Sequence, residues 1–209
     1  LIHFNQNEYL EGDDLQERFG LRGRNMFQLA ALHTPIAPGF LIDSATLLNG
    51  GLKGLTRNDL QAAVGKIENQ TQKTFSQRTR PMLFKVVISP SIQIGSLRSV
   101  HTVGINDAVA EGFAKFCGEA FAYQEYRNYL AQLRRRFLGK KEQDFKTITQ
   151  ANPKASDKEL CKMFREAVVP DFPQDGYDQL HLVLTSLAEQ YLGDEMNEGI
   201  ESGLMVQMM

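Results

Sequence analysis

Short, largely apolar runs mark the first half of this chain, and apolar stripes at helical spacing mark the second. The opening run predicts a strand over 2–4, followed by an acidic, glycine-containing loop through Gly12, Asp13 and Asp14. Gly20 and Gly23 bracket Arg22, a pattern that lets the backbone bend tightly and present N–H groups beside a cation. A short helix over about 25–32 follows, with Phe27, Ala30 and Ala31 on its buried face. Pro35, Pro38 and Gly39 stop it and lead into a strand over 40–42. Asn49, Gly50 and Gly51 read as a flexible turn. Thr56 with Asp59 reads as an N-terminal cap, opening a helix that runs to about Phe75. The run 82–88 is apolar and β-branched except at Lys85, the pattern of a mostly buried strand, and 89–95 is expected as a loop.

From Asp107 onward long helices are expected. Ala108, Val109, Gly112, Phe113 and Phe116 form one stripe, and Phe121, Tyr123, Tyr126, Tyr129, Leu130, Leu133 and Phe137 form a second, both read as core. Asn152-Pro153 breaks the pattern, and Ser156 with Glu159 resembles a capping box before a helix to about Val168. Pro170 and Pro173 precede a last helix over about 175–192. After a short acidic segment, the chain closes in an apolar strand over 204–208. No repeat or low-complexity tract is present.

Composition narrows the function classes. With 209 residues, 42% hydrophobic and 23% charged, the chain has ordinary globular usage and enough length for one or two cores. A formal net charge of -2 supplies no global attraction to nucleic acid or an anionic membrane, so any polyanion contact must be local. The candidate for such a contact is Arg134, Arg135, Arg136, Lys140 and Lys141, at an expected helix C-terminus where cations are favoured. A solvated helix end accounts for such a cluster by itself; if the protein docks on a polyanion, RNA or an acidic protein is expected to bind there. Cys117 and Cys161 are far apart among apolar neighbours, as expected of structural thiols in a reducing, intracellular compartment. His3, His33, His101 and His181 are scattered without ligand spacing, so no metal site is expected. No membrane-length apolar run and no leader pattern is seen, and the chain reads as part of a longer polypeptide.

Four blocks, in order, resemble the nucleotide-binding domain of the pyruvate phosphate dikinase family. Gly20-Leu21-Arg22-Gly23-Arg24-Asn25 with Pro35-Ile36-Ala37-Pro38-Gly39-Phe40 is similar to that family's G-G-K-G-A-N and P-V-P-P-G-F. Gly104-Ile105-Asn106-Asp107 is similar to G-L-N-D, and Phe121-Ala122-Tyr123-Gln124-Glu125-Tyr126-Arg127 to F-A-Y-D-S-Y-R. Phe172-Pro173-Gln174-Asp175-Gly176-Tyr177-Asp178-Gln179-Leu180 resembles F-P-Q-D-P-W-E-Q-L. The resemblance implies an α+β, ATP-grasp-like fragment, with a grasp subdomain over 1–106, a helical subdomain over 107–192 and a return strand of the first subdomain within 193–209. It implies a small sheet containing 2–4, 40–42, 82–88 and 204–208. Gly20, Arg22, Gly23 and Gly95 are the residues of a residual ATP site on this resemblance, and no catalytic or metal residue is assigned.

The same comparison exposes departures. Where the family has L-L-V-S-V-R-S-G, this chain has Met82-Leu83-Phe84-Lys85-Val86-Val87-Ile88-Ser89, so Val87 stands at the phosphate-contacting arginine and Ser89 at the following glycine. Arg98 replaces an aspartate of the next motif, and one residue is missing between Ile88 and Gly95. Loss of one charge-stabilising contact raises a phosphoryl-transfer barrier by about 2.7–4 kcal/mol. At the C-terminal side the family's arginine-bearing connection is absent, and its acidic magnesium ligands, phosphohistidine and pyruvate domains would lie beyond Met209. Two expectations result. One is a degenerate, non-catalytic module that binds no cofactor and serves protein partners in a larger intracellular assembly. The alternative is the front of an active ATP-dependent phosphotransferase that binds MgATP, with Arg22 in place of the usual lysine and Gly95 in a trimmed loop.

Overall fold

Alternation along three strands sets the layers. Phe40 and Ile42, then Phe84, Val86 and Ile88, then Leu204 and Val206 join one buried cluster, whereas Leu41, Val87 and Met205 join another. Successive side chains of a strand leave opposite faces, so a sheet built from these strands is covered on both sides. The computed structural model, which describes residues 1–48, 52–93, 99–137, 143–168, 172–192 and 200–209, has that sheet. Its strands are β1 (Ile2–Phe4), β2 (Gly39–Ile42), β5 (Phe84–Pro90), β6 (Ser99–Val103) and β7 (Ser202–Met208). They lie in the order β1-β2-β7-β5-β6, with each neighbouring pair antiparallel. Of the four strand segments expected together in one sheet, 2–4, 40–42 and 204–208 are together with 84–88 of the expected 82–88, and the fold is α+β.

One face is covered by α1 (Leu15–Ala31), whose buried Leu15, Phe19, Gly23, Phe27 and Ala30 recur every three or four residues. Phe19 and Phe27 meet edge to face with centroids 5.4 Å apart. The helix therefore starts ten residues before the expected Asn25. Gly20 does leave the helical conformation, at φ 71° and ψ 177°, but the helix resumes at once and the kink is absorbed within it. The other face carries α2 (Ser44–Leu48), α3 (Arg57–Thr71) and the later helices. The Thr56 and Asp59 capping box of α3 is formed in both directions. That helix ends at Thr71 rather than Phe75, because Gln72 turns left-handed at φ 57° and Thr74–Phe75 form β3, paired in parallel with β4 (Pro81–Met82).

The expected strand over 82–88 is divided between β4 and β5, and Ser89, expected in a loop, is paired with Gly203 inside the sheet. Strand β6 had no counterpart in the sequence reading, since it is short and carries Ser99, His101 and Thr102 among its five residues. After it come α4 (Asp107–Cys117), α5 (Glu119–Phe137), α6 (Gln143–Ala151), α7 (Asp157–Val168) and α8 (Gly176–Leu192). Tyr123, Tyr126, Tyr129, Leu130 and Leu133 of α5 are buried in the same cluster as the strand residues Phe84 and Leu204, so sheet and helices share a core. Phe116 and Phe121 are corrections to the stripes. They are exposed, at the corner where Gly118 separates α4 from α5, and Phe121 packs on Phe113 with ring centroids 6.2 Å apart. Cys117 at that corner is also exposed, whereas Cys161 is buried and its thiol is pushed up to about 12 by that burial. The Ser156 and Glu159 box opening α7 is present. Asn49, Gly50, Gly51, Pro170 and 193–199 lie outside the described residues.

Candidate nucleotide site

Gly20, Arg22 and Gly23 come together at the kink of α1, directly against the end of β5. Where the helix restarts, its first N–H groups lack partners within the helix. The N–H groups of Arg22 and Gly23 both donate to the Ser89 hydroxyl oxygen, at 3.1 and 3.2 Å. Ser89 is fully buried. Only glycine fits at position 20: a Cβ there would sit 1.7 Å from the Ser89 carbonyl oxygen, and the φ is positive. A pair of N–H groups at a helix start is the ordinary cradle for a phosphate. Here a side-chain oxygen from the same chain fills it.

The neighbouring cations are Arg22 and Lys85. Strand alternation puts Lys85, Val87 and Ser89 on the face covered by α1, and Val87 is buried in that face's apolar cluster. Both Arg22 and Lys85 are half-buried. Burial first, and Arg22 second, push the Lys85 ammonium below its ordinary value. Among the described residues, the buried Arg22 Nε has no hydrogen-bond partner. Gly95 and Arg98 lie outside the described residues. A triphosphate held on the N–H pair does not fit the residues present, since the hydroxyl already accepts from both donors and Val87 offers none.

No protein-family model matches the chain. Over 125 residues it is 33% identical to a pyruvate, phosphate dikinase of Treponema pallidum, covering 59% of this chain and 14% of that protein. Over 203 residues it is 23% identical to pyruvate, phosphate dikinase 2 of Oryza sativa, covering 87% of this chain and 23% of that one. The chain is a relative of the pyruvate, phosphate dikinases. It spans less than a quarter of the length of these relatives.

The remaining dikinase-like blocks converge away from the kink, in a hydrogen-bonded network between sheet and helices. Gln179, with no exposed surface, accepts from the Gly104 N–H at 2.9 Å and donates to the carbonyls of Ile105 and Pro173 at 2.9 and 2.8 Å. Asn106 caps α4 by accepting from the Val109 N–H at 2.8 Å and donates to the Gln174 carbonyl at 2.9 Å. Tyr126 donates to the Asp107 carboxylate at 3.1 Å, and Gln174 donates to the Tyr126 hydroxyl at 3.3 Å. Arg165 pairs with the same Asp107. Blocks separated by up to 75 residues thus satisfy one another's buried polar groups. Sequence reading gave these side chains no role, because each partner lies in another block.

The basic cluster is divided. Arg134 is 4% exposed and sits in the helical layer, so it is not available as a surface cation, whereas Arg135 is exposed. The side chain of Arg136, with Lys140 and Lys141, lies outside the described residues. Successive residues on a helix point about 100° apart, and here that rotation carries Arg134 inward. Among the described residues, no helix is long and apolar enough to cross a membrane, and no cluster of His, Cys, Asp and Glu could hold a metal ion.

Proposed function

We propose that this chain is a degenerate dikinase-type nucleotide-binding domain of ATP-grasp-like architecture, with a grasp subdomain over 1–106, a helical subdomain over 107–192 and a return strand within 193–209. It transfers no phosphate and serves as a structural or interaction module in a larger intracellular assembly. The observation that carries this reading is the Ser89 hydroxyl seated on the Arg22 and Gly23 N–H groups. Val87 beside it is aliphatic and buried, so the side chain at that position supplies neither a donor nor a charge. By contrast the Gln179 and Asn106 network, which holds sheet to helices, is intact. The family resemblance survives where it builds the fold. Partner docking by RNA or an acidic protein near α5 then falls to Arg135 and the basic residues after it, and weakens with salt.

The test is phosphoenzyme formation and MgATP calorimetry on the complete protein. Neither phosphoenzyme nor micromolar nucleotide binding is expected, and Val87→Arg alone does not restore turnover while Ser89 remains. Micromolar MgATP affinity that depends on Arg22 refutes this reading in favour of an active phosphotransferase, the reading favoured by the cation retained at Arg22.

A further inference from the structure

A cleft of about 590 Å³ opens in the helical layer, lined by none of the residues at the kink of α1. Helix α7 packs against both α5 and α6, whereas α5 and α6 hardly touch each other, so the gap between them is floored by α7. Its volume is in the range of small-molecule sites. Leu160 and Phe164 of α7, both buried, and the half-buried Ala131 of α5 give the cleft an apolar base. Its charged lining residues are Arg127 of α5, Lys146 of α6 and Asp157 of α7.

These charges do not balance. Arg127 donates through Nη1 to the Asp157 carboxylate at 2.6 Å, and both side chains are partly withdrawn from water, at 21% and 35% exposure. The pair fixes the planar guanidinium at the cleft wall, and its other N–H groups make no hydrogen bond among the described residues. Lys146 is exposed and forms no ion pair among the described residues. Two cations and one carboxylate therefore leave a single positive charge unmatched beside the apolar base. Covering that base is favourable for an apolar group, and a singly charged anion at its edge completes the charge balance. A dianion overshoots the balance and is repelled by Asp157.

We propose that this cleft binds a small monocarboxylate with an apolar body. The carboxylate accepts from Arg127 and Lys146, and the body lies on Ala131, Leu160 and Phe164. The site includes none of the residues of the nucleotide site, so it stands whether or not that site is closed.

Naphthoate is the probe, titrated into the complete protein by calorimetry at constant ionic strength, with naphthalenemethanol as the neutral control and naphthyl phosphate as the dianionic one. Saturable naphthoate binding is expected, with each control about fivefold or more weaker. Lys146→Met keeps an unbranched apolar stem at an exposed position while removing the charge, and is expected to weaken naphthoate about fivefold, the loss of one exposed charge pair. Ala131→Phe fills the cleft and is expected to abolish binding. Should that variant fail to fold, NMR of isotope-labelled methyl groups in the unaltered protein supplies the second measurement, and the Ala131 and Leu160 methyl signals shift as naphthoate saturates. Absence of saturable naphthoate binding, equal binding of either control, an affinity unchanged in Lys146→Met, or unmoved Ala131 and Leu160 signals each overturns the site. None of these results touches the non-catalytic reading, which MgATP calorimetry tests separately.

Discussion

Ser89→Ala removes one oxygen that two backbone donors share. Both donors sit where the helix restarts after Gly20, and the residue is fully buried, so water has no ready route to replace the hydroxyl. An unpaired buried donor costs about 1–3 kcal/mol, and deletion of a helix-capping side chain costs up to about 2 kcal/mol. With two donors stranded, the variant is expected to lose about 2–4 kcal/mol, equivalent to a melting temperature about 4–16 °C lower for a chain of this size. The assay is urea unfolding of the complete protein and its Ser89→Ala variant, fitted with a common slope. Because the bonds are neutral, the loss should be the same at low and high salt. A loss below about 0.5 kcal/mol with unchanged slope, the level of an ordinary surface substitution, would show that the hydroxyl does not hold the kink and would remove the main support for a closed phosphate cradle.

Gly20→Ala is expected to abolish soluble expression or cost more than Ser89→Ala, since its Cβ meets the Ser89 carbonyl at 1.7 Å; a variant as stable as the parent refutes the close approach. Gln179→Ala breaks three buried hydrogen bonds and is expected to cost about 3 kcal/mol or more in urea unfolding, with little effect if the network is dispensable. Native thiol titration should show Cys117, which is exposed, reacting in the folded protein and Cys161 reacting only on unfolding, because Cys161 is buried with its thiol pushed up to about 12; two thiols reacting in the folded protein contradict this. For acid stability, the Thr56 hydroxyl and N–H hold Asp59 below its ordinary 3.8, and the Ser156 N–H and hydroxyl hold Glu159 below 4.5. Lowered folded-state values mean that both contributions are full above those pH values and lost as pH falls through the lower folded ones, so Asp59→Asn should flatten the acid limb of stability measured from pH 6 downward.

Local signals determined much of the architecture. The capping pairs at Thr56 and Ser156 need only residues three apart, and the strand runs around Phe40, Val86 and Val206 carry their own alternation, so these elements were legible before any contact was known. The family blocks also fixed which strands share the sheet. What sequence could not decide was where each polar group goes. Gly20 and Gly23 read as an open turn presenting N–H groups to a ligand, yet those groups are taken by a hydroxyl from Ser89, 66 and 67 positions away. Arg134 reads as one of three adjacent surface cations, but helix rotation and packing bury it. Strand β6 and the bulge facing Lys85 leave no periodic trace, since pairing across the sheet rather than side-chain pattern creates them. Hydrophobic burial is encoded locally because it repeats with the element's own period. Hydrogen-bond partners are chosen by distance in space, and only the folded chain brings Ser89 to Gly23 and Gln179 to Gly104.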